Sequence, residues 1–275
     1  MAKLSINSAW DETSAFLRRE SRLVMPVALA FFAVPATLFG WHNPSGDPTQ
    51  ASGGWPLTLL VLVLALMGQM AIAAMAIGWR GSVGAALTQA LGRVWGVLAA
   101  LLIIFIPVAV VLALILAFML GSAGLTDPTQ VTAESLAAVP GLTLFLLAMT
   151  FLFLFIGARL FPISAVGMME TANPFRVISR SWQLTGGHFW RLVGTLLLVL
   201  IVSLVASLAV TAVVGSLTTL AAGEPQPYNV SALIISLADG VVGAMISAVT
   251  AALVGRIYAQ LSAGQATVPE VKRED

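Results

Sequence analysis

Residues 94–120 read VWGVLAALLIIFIPVAVVLALILAFML, 27 residues without a charged side chain. A helix rises about 1.5 Å per residue, so about 20 apolar residues cross the roughly 30 Å hydrocarbon core of a bilayer. This stretch is long and apolar enough to be a spanning helix. Five more of the same kind flank it, at about 22–41, 56–79, 140–162, 190–215 and 234–260. The sequence therefore predicts an all-α, polytopic membrane protein, a bundle of six transmembrane helices.

Composition agrees. Of 275 residues, 59% are hydrophobic and 9% charged, with a mean hydropathy of +0.98. Soluble chains carry roughly 25% charged residues, so most of this surface must meet lipid. A net charge of +1 gives no field that would favour nucleic acid. The absence of cysteine excludes disulfides, a thiol nucleophile and cysteine-ligated metal. The two histidines, His42 and His188, have no metal-ligand spacing, and no metal or other cofactor is expected.

The connections carry the orientation. Segments 42–55, 121–139 and 217–230 hold no Lys or Arg, and their acidic residues are Asp47, Asp127, Glu134 and Glu224. All 13 basic residues, from Lys3, Arg18, Arg19 and Arg22 through Arg80, Arg93, Arg159, Arg176, Arg180, Arg191 and Arg256 to Lys272 and Arg273, fall on the other side. By the positive-inside rule that side is cytoplasmic, which puts both termini there. Asp11, Glu12 and Glu20 precede the first span and argue against a signal peptide, whose leading segment is short and basic. Residues 5–19 are expected to form an interfacial helix with Trp10, Phe16 and Leu17 on one side. Residues 1–262 form a single integral membrane domain, and 263–275 are expected to be a disordered cytoplasmic tail.

The most informative connection is 168–193, MMETANPFRVISRSWQLTGGHFWRLV. Asn173 suits a helix cap and Pro174 the first helical position. At 100° per residue, Phe175, Ile178, Ser181 and Trp182 share one arc, with Val177 and Leu184 at its edge. Arg176, Ser179, Arg180 and Gln183 take the other. The pattern predicts an amphipathic helix in the cytoplasmic interface, arginines toward lipid phosphates, ended by Gly186 and Gly187. His188, Phe189, Trp190 and Arg191 then form an aromatic and basic collar. Residues 80–98 echo the pattern weakly, so spans two–three and four–five are a candidate parallel repeat.

Glu170, Asn173-Pro174, Arg180-Ser181-Trp182 and Leu184-Thr185 together resemble a motif of bacterial multi-pass inner-membrane proteins related to the membrane domain fused to some glycerophosphodiester phosphodiesterases. Pro140-Gly141, Arg159 to Pro162 and Ile257-Tyr258-Ala259-Gln260-Leu261 are similar to the same group. The resemblance covers about residues 80–262. It implies a bacterial cytoplasmic membrane and a role in envelope or lipid homeostasis. The catalytic domain of those fusions is expected to be absent, so its activity is not carried over.

Candidate sites follow. Arg176, Arg180, Arg191, Trp182, Trp190 and Arg159 are candidates for contact with anionic headgroups, because Arg forms bidentate bonds to phosphate. The plainer readings are charge placement alone for the first three arginines and a snorkelling side chain for Arg159, with a kink at Pro162. Glu170 and Asp239 are the ionisable candidates within the membrane. Glu170 is expected to pair with an arginine of its own cluster. A charge inside lipid costs about 2.5–3.5 kcal/mol. Asp239 is therefore either an interfacial carboxylate near the outer boundary or a binding or coupling group. In the sixth span, Gly240, Gly243, Ala244, Ser247, Ala248, Ala251 and Gly255 recur at spacings of three and four, a pattern for close helix packing or, alternatively, for a second copy of the chain.

No HExxH run, GxSxG elbow, P-loop or GxGxxG opening is present. The leading expectation is a non-enzymatic inner-membrane protein whose partners are membrane lipids. The alternative is a small transporter, or a subunit or scaffold of a transport complex with a membrane-protein partner.

Overall fold

The computed structural model describes residues 5–44, 55–125 and 132–266. All regular elements among them are helical. Helix α1 spans Ile6–His42, α2 Trp55–Ile77 and α3 Val83–Ser122. After the short α4 (Ala133–Ala137) come α5 (Leu142–Leu160), α6 (Ile163–Met169) and α7 (Pro174–Thr185). Helix α8 runs Phe189–Ala222 and α9 Val230–Ala266. Six helical stretches are long and apolar enough to cross a membrane: α1, α2, α3, α5 with α6, α8 and α9. The protein is a multi-pass membrane protein.

Local chemistry sets the ends. Ser5 and Ser82 cap α1 and α3 by accepting from the amides of Ser8 and Ala85. Asn229 accepts from the Ala232 amide at 2.8 Å in the first turn of α9. Gly78 ends α2 at φ +109° and Gly187 separates α7 from α8 at φ +81°, conformations that L side chains rarely adopt. Pro162 breaks the fourth span, because its ring removes an amide donor and crowds the preceding turn. The break makes α6 a separate helix, in which Ile163 to Met168 are all buried.

Residues 6–19 are helical and lead into the first span without a break, with Ala9, Thr13 and Phe16 as their buried stripe and Trp10, expected on the side of Phe16, exposed. Likewise 83–98 is the start of α3, with no break before the span. The candidate repeat is therefore unequal: Gly186-Gly187 separates α7 from α8, and nothing equivalent interrupts α3. Of the expected tail, 263–266 continue α9, and 267–275 lie outside the described residues, as do Asp47 and Asp127.

Helix α9 is the central strut and packs against α1 and α2. The core is concentrated at the end where the described arginines lie. Met70, Ala90, Val94, Val97, Val166, Met168, Val177, Leu192, Leu253 and Ile257 are at most 1% exposed and join α2, α3, α6, α7, α8 and α9. Toward the other end α3, α5 and α8 present Leu114, Phe118, Leu144 and Leu204 outward, as lipid contact requires. The start of α1 meets α9 at the arginine-rich end. The Ser5 amide donates to Gln260 Oε1 at 3.2 Å, and Arg256 lies 3.6 Å from Glu12.

Candidate functional site

The buried helix α6 organises the arginine-rich end. Its last carbonyls lack intrahelical donors, as at any helix C-terminus. Helix α3 supplies them: Arg93 Nη1 donates to the carbonyls of Met168 (2.8 Å) and Gly167 (3.3 Å), and Gln89 Nε2 donates to Met168 at 2.9 Å. The positive charge also suits the negative end of the helix dipole. Glu170 caps α6, and its carboxylate accepts from Arg180 Nε of α7 at 2.8 and 3.1 Å and from the Tyr258 hydroxyl of α9 at 2.8 Å. One carboxylate thus ties three helices together.

Two glycines let the chain pass so closely. A Cβ on Gly96 of α3 would lie 1.9 Å from the Ala172 carbonyl oxygen, and one on Gly167 would lie 2.2 Å from Val97 Cγ2. The segment linking α6 to α7 therefore crosses directly over the backbone of α3.

Asn173 Oδ1 then accepts from the amides of Phe175 and Arg176 and starts α7. This helix has three faces. Val177, Ser181 and Leu184 are buried in the bundle. Phe175 and Trp182 are exposed, 68% and 39%, on a second, apolar side. Arg176, Ser179 and Gln183 are exposed on a third. The two-faced reading put Phe175 and Trp182 on one arc with Ser181. The buried arc is instead centred near Val177, because α7 packs against α3, α5 and α6 as well as facing outward.

The headgroup candidates consequently separate. Arg180 pairs with Glu170 through its Nε, and this is the ion pair expected for Glu170. Arg176, Arg191 and Trp190 are exposed. Arg159 does something else: its guanidinium carbon lies 5.3 Å from the Trp182 ring and 5.6 Å from those of Phe155 and Phe189. The cation sits in an aromatic box that joins α5, α7 and α8. Its Nε is buried without a hydrogen-bond partner among the described residues.

The α9 small-residue face is divided too. A Cβ on Gly240 would meet Thr37 Oγ1 at 2.6 Å, and one on Gly255 would meet the Ala73 carbonyl at 2.5 Å. With Ala244, Ala248 and Ala251 buried beside them, these glycines face α1 and α2 within the same chain. Gly243 is exposed, and a Cβ added there would meet nothing within 4 Å, while Ser247 lines a cavity together with Phe32, Leu66 and Val199. Gly243 thus falls outside that packing face. Asp239 is at the opposite end of the molecule from Glu170. It accepts from Ser207 Oγ at 3.1 Å and lines a cavity there. Among the described residues no three His, Asp or Glu side chains gather to hold a metal.

A family model described as a domain of unknown function, DUF7847, matches residues 4–261. The chain belongs to this family. No curated protein and no solved structure matches it. The match runs through all six spans and includes Arg93, Glu170, Arg180 and Tyr258. Sequence reasoning missed Arg93, Gln89 and Tyr258 as members of the cluster. Tyr258 is one of only two tyrosines and the rare hydroxyl of its kind within a span, which was the available signal. Its 88-residue separation from Glu170 is not deducible from spacing.

Proposed function

We propose that the protein is a non-enzymatic integral protein of the bacterial cytoplasmic membrane that binds anionic lipid headgroups at its arginine-rich end, in the service of lipid or envelope homeostasis. One observation carries this reading: α7 sets an exposed cation, Arg176, beside exposed Phe175 and Trp182 on a helix anchored by its third face. A rigid interfacial helix of this kind buries apolar rings at the acyl boundary while its arginine reaches phosphate. Arg191 and Trp190, exposed at the start of α8, extend the same surface. The resemblance to the membrane domain of phosphodiesterase fusions supports the lipid setting, and the positive-inside rule makes this end cytoplasmic.

Native mass spectrometry of protein released from nanodiscs of mixed phosphatidylglycerol and phosphatidylcholine tests it. The parent should retain phosphatidylglycerol selectively, and an Arg176→Glu, Arg191→Glu double variant should lose that selectivity. Equal retention by the two would overturn the assignment. Arg180 is left intact in this design because replacing it would strand Glu170. The alternative, a small transporter or a subunit or scaffold of a transport complex, draws support from the cavity at the other end.

A further inference from the structure

At the arginine-free end, α1, α8 and α9 diverge around a cavity of about 720 Å³. That volume falls in the roughly 300–1,000 Å³ range of small-molecule sites. Asp239 and the hydroxyl residues Ser207, Thr211, Ser216 and Thr219 line it, with Ile235 among its apolar wall.

Two independent features mark it as more than a packing gap. The first is backbone geometry. Helix α8 widens into a π turn at Thr211–Gly215, and both end residues of that turn line the cavity. Such turns sacrifice regular helical bonding and recur at functional sites. The second is charge. Asp239 lies nine residues inside the start of α9 at Val230. It stands seventeen residues from Arg256, about 25 Å along the axis and short of the roughly 30 Å hydrocarbon span. Asp239 is exposed there, just inside the outer boundary, and a carboxylate in that position normally faces a cation or water. The sequence holds no Lys or Arg between Arg191 and Arg256, nor between Arg22 and Arg80. Among the described residues Asp239 has a hydroxyl donor in Ser207 and no ion-pair partner.

The counter-charge is therefore missing from the protein around a site that has room for a ligand. We infer that this cavity binds a monovalent organic cation carrying an apolar arm, with Asp239 as its counter-ion. The hydroxyls of Ser207 and Thr219 accept from the cation's N–H groups or solvate it, and the apolar wall takes the arm. A bare metal ion fits less well, because among the described residues Asp239 is the one carboxylate lining the cavity and the space far exceeds one ion. The same chemistry is offered by a soluble amine and by an ammonium lipid headgroup. The site is remote from Arg176, so its fate is independent of the headgroup reading at the other end.

Equilibrium dialysis of labelled tetraphenylphosphonium against the full chain in maltoside micelles, which contain no ammonium lipid, is the test. Saturable binding of one cation per chain is expected. Asp239→Asn should weaken it at least tenfold while thermal unfolding is unchanged. Thr219→Trp, which fills the cavity and leaves the charge, should abolish it. Displacement by dihexanoyl phosphatidylethanolamine at lower concentration than by benzyltrimethylammonium assigns the site to a lipid headgroup, and the reverse order to a soluble amine. Binding that is non-saturable, or that survives both substitutions, overturns the proposal.

Discussion

Glu170 and Tyr258, 88 residues apart in sequence, meet at 2.8 Å, and the same carboxylate holds Arg180 at 2.8 Å. The arrangement locks the end of α6 to α7 and α9 at the arginine-rich end. Both partners of the ion pair are about one-third exposed or less, so water screens it only in part. Charge-assisted hydrogen bonds contribute about 1.5–3 kcal/mol each, with the lower end apt for partial exposure. Glu170→Gln should cost about 1–2 kcal/mol in a reversible SDS titration of the protein in mixed micelles. Arg180→Gln should cost a similar amount, and the double variant less than the sum, because each single change leaves one charge without its mate. Strict additivity would mean that the pair contributes nothing.

The passage of the Thr171-Ala172 segment over α3 requires a bare Cα at Gly96. Alanine there puts a methyl 1.9 Å from a backbone oxygen, where no side-chain rotation relieves it. Gly96→Ala should destabilise by about 1–3 kcal/mol or more, the usual range for overpacking. Gly92, one turn earlier in the same helix, has nothing within 4 Å of a built Cβ. Gly92→Ala should be neutral or gain up to about 1 kcal/mol from helix propensity. The same titration measures both, and a comparable loss for the two variants would show that the close crossing is not what glycine serves.

The contrast between Gly96 and Gly92 shows what the sequence contained. Apolar runs of spanning length reveal the helices, since lipid demands internal satisfaction of every backbone group. Breakers reveal their ends: Asn173-Pro174 and Gly186-Gly187 bound α7 where periodicity placed it. Which glycine is crowded depends on a chain crossing from 76 residues away, and local pattern carries no trace of it. The small-residue rule likewise grouped Gly243 with Gly240, although only Gly240 faces a neighbour. Arg180 and Arg176 read alike on a helical wheel. Their roles part because Glu170 returns to one of them and not the other.

Arg159 makes a third prediction. Its charge lies against three rings, each interaction adding about 0.5–1 kcal/mol at partly exposed sites. Arg159→Met keeps most of the apolar stem and removes the cation, and should cost about 1–2 kcal/mol. Arg159→Lys should recover part of the loss, because the charge returns without the flat guanidinium that covers several rings. Unfolding of the three proteins, followed by tryptophan emission, ranks them. A methionine variant as stable as the parent would leave the box a matter of packing alone.

Orientation is open to direct measurement, because the chain has no cysteine and any introduced thiol is unique. Ser179 is exposed on the polar side of α7 at the arginine-rich end, and Gln226 is exposed in the connection between α8 and α9 at the other. Single Ser179→Cys and Gln226→Cys variants, treated with a membrane-impermeant maleimide, should react from opposite sides of the bacterial membrane. With the arginine-rich end cytoplasmic, Gln226→Cys is labelled in intact spheroplasts and Ser179→Cys only in inverted vesicles or after permeabilisation. The imbalance behind this expectation is large: every described Arg lies toward one end, and each one carried across the membrane would add to the cost of the opposite topology. Labelling of Ser179→Cys in intact spheroplasts would reverse the orientation and place the exposed arginine of α7 against the outer leaflet, which would overturn the cytoplasmic placement of the proposed headgroup contact.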